Sequence, residues 1–162
     1  MNILKTVFAA CVAARIAQVA SAAAIMIDDF DASQLVVDVP DTGQLNSSTL
    51  ATPTVIGGSR TMTVLTDPNN GLQPVGGSRL ESTGAGAFPQ PGVLNFSNSS
   101  IQRGVATVFY GVAAGGAALG DLTGGGTNDK FFFESVFGDL EGATFAATVT
   151  DGTNTETVTE TL

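Results

Sequence analysis

Beyond residue 24 no segment of the chain carries an apolar stripe at helical spacing. Glycine, threonine, asparagine and proline interrupt every run before a long helix could form. Between these breakers lie short β-branched and aromatic runs. That pattern predicts an all-β fold, an antiparallel β-sandwich or jelly roll. Predicted strands cover 25–30, 34–39, 59–66, 78–83, 92–97, 104–111, 130–137, 143–150 and 154–161. The polar stretch 40–54 reads as a long loop. Residues 23–162 are long enough for one sandwich domain with a core of its own.

Alternation assigns faces within several strands. Met62 and Val64 share one side of their strand, opposite Thr61, Thr63 and Leu65. Phe145, Ala147 and Val149 share a face opposite Thr144, Thr148 and Thr150. Phe131 to Phe137 is apolar on both faces, as in a central strand. Asp151-Gly152 joins two alternating runs and predicts a hairpin, because glycine accepts the positive φ of a tight reverse turn. Asp67 to Gly71 predicts a second turn. A four-residue echo, Gly57-Gly58-Ser59-Arg60 and Gly76-Gly77-Ser78-Arg79, opens two strands. It reads as two close backbone approaches or bulges. The alternative is a pair of arginines converging on one anionic ligand.

Residues 1–22 have a different character. Lys5 precedes the apolar run Thr6 to Ala14, and Ala20-Ser21-Ala22 places small residues at −3 and −1 of a cleavage site. This predicts a signal helix cleaved after Ala22. Arg15 breaks the apolar run, so a membrane-spanning helix is not expected. Cys11 follows Phe8-Ala9-Ala10, a faint echo of a lipoprotein box that lacks its leucine. It reads as one more apolar residue of the signal.

The whole chain has 15 acidic and 6 basic residues, a formal charge of −9. Removing the signal leaves Arg60, Arg79, Arg103 and Lys130 against the same 15 acids, or 4 − 15 = −11. Such a chain is repelled by nucleic acid and by anionic membranes. With no histidine there is no imidazole-based nucleophile activation or metal site. A single cysteine allows no internal disulfide. No nucleophile elbow and no phosphate-loop lysine accompany the serines and glycines.

One acidic cluster remains, Asp28-Asp29-Phe30-Asp31. Adjacent carboxylates need a cation, and calcium takes hard oxygen ligands. Asp28, Asp29 and Asp31 with Asp151 form the candidate calcium set, with Asn128, Asp129 and Asn154 as further oxygen donors. The competing partner is arginine, and Arg60 is the expected one. Glu81, Glu134 and Glu141 could in principle supply a glycosidase acid and base. Absent tryptophan and a single tyrosine, Tyr110, in an apolar run argue against sugar stacking.

Taken in order, Ile27 to Asp31, Val55 to Arg60, Gly120-Asp121-Leu122-Thr123 and Ala147 to Gly152 resemble secreted bacterial proteins that carry a PEP-CTERM sorting signal. The resemblance covers most of the mature chain. It implies a galactose-binding-like jelly roll and transfers no catalytic residue. The family's Val-Pro-Glu-Pro-like anchor, apolar helix and basic tail have no counterpart before Leu162. A domain truncated by one or two C-terminal strands is therefore expected. The resulting expectation is a secreted, non-enzymatic sandwich at the cell surface or in the extracellular matrix. A surface polysaccharide or a matrix protein is the expected partner class. The alternative is a calcium-stabilised carbohydrate-binding module, and a small glycosidase ranks third.

Overall fold

A computed structural model describes residues 25–39, 43–67, 76–85, 91–99, 102–123, 125–126 and 143–161. Its strands are β1 (Gln34–Asp38), β2 (Asn46–Ala51), β3 (Ser59–Thr66), β4 (Ser78–Ser82), β5 (Leu94–Asn98), β6 (Gly104–Tyr110), β7 (Thr144–Thr150) and β8 (Thr155–Thr161). Single 3-10 turns at Ile56–Gly58 and Gly111–Ala114 precede β3 and follow β6. The chain divides into two compact units, Met1–Asn128 and Asp129–Leu162. Among the described residues no helix is long and apolar enough to cross a membrane.

The first unit is an all-β sandwich. One antiparallel sheet has the order β1-β4-β5 and the other β2-β3-β6. The alternation of β3 selects its buried face. Met62 and Val64 are wholly buried, with Val108 and Ala106 as their rungs on β6. Facing them are Val36 and Leu80, paired across β1 and β4, and Leu94 of β5. Among the described residues this apolar core is a few rungs deep.

Polar residues take over the inward positions at both ends. Gln34, Arg60 and Ser82 fill one end; Asp38, Thr66 and Ser78 fill the other. Strand β1 shows the consequence most plainly. Its buried face is Gln34, Val36 and Asp38, while Leu35, Val37 and Val39 lie 42–54% exposed. At the Asp38 end the carboxylate accepts from the Thr66 backbone N–H at 2.9 Å and from Asn46 Nδ2 at 2.9 Å. Thr66 Oγ1 donates to Ser78 Oγ (3.0 Å), which donates to Asn98 Oδ1 (2.6 Å). Among the described residues no buried side-chain nitrogen or oxygen lacks a hydrogen bond.

The acidic stretch is not the strand expected over 25–30. Only Asp28 forms a bridge, to Val55, and Phe30 has the left-handed φ of 54°. Side-chain bonds hold this bend. Asp28 Oδ1 accepts from the Phe30 N–H (2.8 Å) and Asp29 Oδ1 from the Asp31 N–H (3.0 Å). The carbonyls of Phe30 and Asp31 then accept from Gly84 and Ala85. Strand β2 lies inside the expected loop 40–54. Its sequence, Asn-Ser-Ser-Thr-Leu-Ala, has almost no apolar pattern, because it is an edge strand paired only with β3. The expected strand 130–137 and the Asp67–Gly71 turn beyond Asp67 fall outside the described residues, as does the signal segment.

The glycine echo proves to be two close approaches. A Cβ on Gly77 would collide with the Asp38 carbonyl, and one on Gly57 would come within 2.9 Å of the Ala117 carbonyl. The two arginines do not converge. Arg60 points into the core, whereas Arg79 points outward and pairs with Glu81 at 2.6 Å.

The second unit holds the expected hairpin, β7 paired with β8 in antiparallel register. Its connection is a four-residue loop, Asp151 to Asn154, rather than a tight two-residue turn. Gly152 takes φ 90° there. The Asp151 carboxylate ties the loop, accepting from the N–H groups of Thr153 (2.8 Å) and Asn154 (2.7 Å) and from Asn154 Nδ2 (3.0 Å). The bonds from Asn154, then that from Thr153, lower its pKa from 3.8 to about 2. A lowered carboxyl pKa stabilises the fold fully above the unfolded value and loses that contribution as pH falls through the folded one. The loop is therefore expected to keep its bonds above about pH 4 and lose them near pH 2. A carboxyl-carbon NMR titration of Asp151 should show a midpoint near 2; a midpoint at the ordinary 3.8 would contradict these bonds.

Candidate functional site

Among the described residues, the most heavily bonded charged group is Arg60. Strand β3 delivers it inward because Arg60 keeps the parity of Met62 and Val64. Its side chain is 0% exposed. Nε donates to Gln34 Oε1 at 2.9 Å. Nη1 donates to Asp28 Oδ1 and Oδ2 at 2.9 and 2.8 Å. Nη2 donates to the Ala32 carbonyl and to Ser82 Oγ, each at 2.7 Å. A guanidinium has five N–H donors, and all five are matched by acceptors inside the protein. The Phe30 ring lies against the guanidinium, 5.3 Å from centroid to carbon.

Tyr110 completes the cluster from β6, in register with Arg60. Its phenol shares a hydrogen bond with Asp28. Burial, followed by the Asp28 charge and that bond, pushes the phenol far above its ordinary range, while the Arg60 charge opposes the shift. Tyr110 therefore stays protonated and serves as a donor.

Chemically this is a closed ion pair. Arg60 has no donor left for an anionic ligand, and both Asp28 oxygens are held by it. The expected pairing of Arg60 with the acidic cluster is present, through Asp28 alone. Asp29 and Asp31 are tied into the bend that follows. Asp151 belongs to the hairpin loop of the second unit, where its oxygens accept from Thr153 and Asn154. Asn128, Asp129, Glu134 and Glu141 lie outside the described residues. Glu81 sits on the outer face of β4 against Arg79. Among the described residues no three histidine, cysteine, aspartate or glutamate side chains come together as a metal-ion group.

Reasoning from sequence missed the second buried carboxylate, Asp38. The available signal was parity, since Gln34, Val36 and Asp38 alternate with three apolar residues that could not all face inward with them. Comparison with known family models, with curated proteins and with solved structures finds no match to this chain.

Proposed function

We propose that this chain is an exported, non-enzymatic β-sandwich that serves at the cell surface or in the extracellular matrix, akin to proteins bearing a PEP-CTERM sorting signal. The observation that supports a structural role is the closure of the Arg60 cluster. Catalysis needs a group positioned toward a reacting atom. Here the buried arginine, aspartate and tyrosine are engaged with one another and with the backbone. Export is read from the Lys5, apolar and Ala20-Ser21-Ala22 pattern. A surface polysaccharide or a matrix protein is the partner class this reading favours. Expressed from Met1 in a bacterium, the chain should appear outside the cytoplasm with Ala23 as its first residue. Recovery of the intact chain in the cytoplasm would count against export.

The calcium-stabilised alternative must hold its ion without Asp28. Adding millimolar calcium is therefore expected to leave the melting temperature unchanged. A rise of several degrees, lost on chelation, would favour the calcium-stabilised module instead.

A further inference from the structure

We propose that the Asp151–Gly152 peptide is a site of spontaneous aspartyl isomerisation, held unreacted by the loop's own hydrogen bonds while the hairpin stays folded. Asp151-Gly152 is the one Asp-Gly step in the sequence. The reaction closes the next residue's backbone nitrogen onto the aspartyl side chain, and glycine has no Cβ to obstruct that approach. Both residues are exposed, and a Cβ built on Gly152 would meet nothing within 4 Å. Among the described residues no packing shields the step.

The chemistry is a dehydration followed by a hydration. The Gly152 nitrogen forms a bond to Asp151 Cγ, and the carboxyl OH leaves with the amide proton as water. A five-membered succinimide remains. Water then adds to the former backbone carbonyl of Asp151 and breaks its bond to the Gly152 nitrogen. The chain now runs through Cβ and Cγ of residue 151, one methylene longer, with the carboxylate on Cα. The mass is unchanged, and no oxidant or other co-reactant takes part.

The folded loop opposes the first step at both reacting groups. Ring closure requires the carboxyl to turn its carbon toward the Gly152 nitrogen, and that nitrogen to give up its proton. Oδ1 accepts from the N–H groups of Thr153 (2.8 Å) and Asn154 (2.7 Å), and Oδ2 accepts from Asn154 Nδ2 (3.0 Å). The carboxylate is pinned through both oxygens, so turning it breaks these three bonds. The Gly152 N–H is itself donated to Thr150 Oγ1 at 3.2 Å. Opening the loop releases both groups together. The product moves the carboxylate from the end of the side chain onto Cα, so the same three donors lose their acceptor beside the Thr150–Thr155 pair. Each event thus leaves a permanent mark on a chain whose hairpin has opened.

The test is peptide mapping of the full chain after long incubation at a fixed, mildly acidic pH. Electron-transfer fragmentation distinguishes isoaspartate from aspartate at residue 151. Deamidation at Asn70-Gly71 changes the mass and is told apart on that ground. The wild type in urea should isomerise at Asp151 at least about tenfold faster than the folded wild type. Asn154→Ala removes the bond to Oδ2, and the folded variant should isomerise about tenfold faster, the factor that one charge-assisted hydrogen bond controls. Thr150→Ala frees the Gly152 N–H and leaves the carboxylate's three bonds in place; it should quicken the reaction about threefold. Amide exchange of β7 and β8 checks that each variant keeps its hairpin. Should Asn154→Ala lose the hairpin, Thr150→Ala carries the test. Equal rates in the folded and urea-unfolded wild type would overturn the proposal, as would the absence of isoaspartate at 151 in both. Folded variants that isomerise no faster than the wild type would overturn it as well.

Discussion

Replacing Arg60 with leucine is expected to unfold the sandwich at ambient temperature. The substitution removes the guanidinium but leaves the Asp28 carboxylate, 2% exposed, without its cation. Stranding one partner of a buried ion pair costs about 3–5 kcal/mol. The Gln34 and Ser82 side chains lose a partner at the same time. Total stability of a small domain is about 5–15 kcal/mol. Among the described residues the apolar core is a few rungs deep, and the loss is large against the lower part of that range. Arg60→Lys should fare little better, because an ammonium cannot serve Asp28, Gln34, Ser82 and the Ala32 carbonyl together. Thermal melting monitored by circular dichroism would show the loss. A melting temperature within a few degrees of wild type would refute it.

Asp38→Ala should produce the second large loss. Asp38 is 1% exposed and sits at the opposite end of the core. Its removal orphans the buried Thr66 N–H and releases Asn46 from its place on β2. An unsatisfied buried donor costs about 1–3 kcal/mol, and more where a charge-assisted bond is lost. Because Asp38 joins β1 to β2 and β3, amide hydrogen exchange should quicken in both sheets. Exchange confined to β1 would mean that the carboxylate does not tie the sheets together.

These two sites explain which parts of the fold were legible. Where a strand buries apolar residues on one face, alternation reads directly, as at Met62 and Val64. Composition also pointed to the Asp28–Arg60 pair, since few cations were available to answer the acidic cluster. Strand β2 was illegible because its inward positions are Asn46, Ser48 and Leu50, and two of the three are polar. The bend at 28–31 was illegible for a different reason. Ile25, Ile27 and Phe30 look like a strand start, but the left-handed Phe30 is held by tertiary bonds to Gly84 and Ala85. Asp38 was hidden by the apolar residues around it. Leu35 and Val37 would be expected inside, yet the polar ends of the core require Gln34 and Asp38 there instead. Local pattern shows what a residue prefers; only the partner sheet shows what it must satisfy.

If the Arg60 cluster is a structural clasp, its two charged members depend on each other for stability. A double-mutant cycle on Asp28→Ala and Arg60→Leu, followed by urea unfolding, tests it most directly. Sucrose in every sample would keep all four chains folded at zero denaturant. The double variant is expected to be more stable than Arg60→Leu alone, with a coupling above about 2 kcal/mol. Strictly additive losses would contradict the clasp.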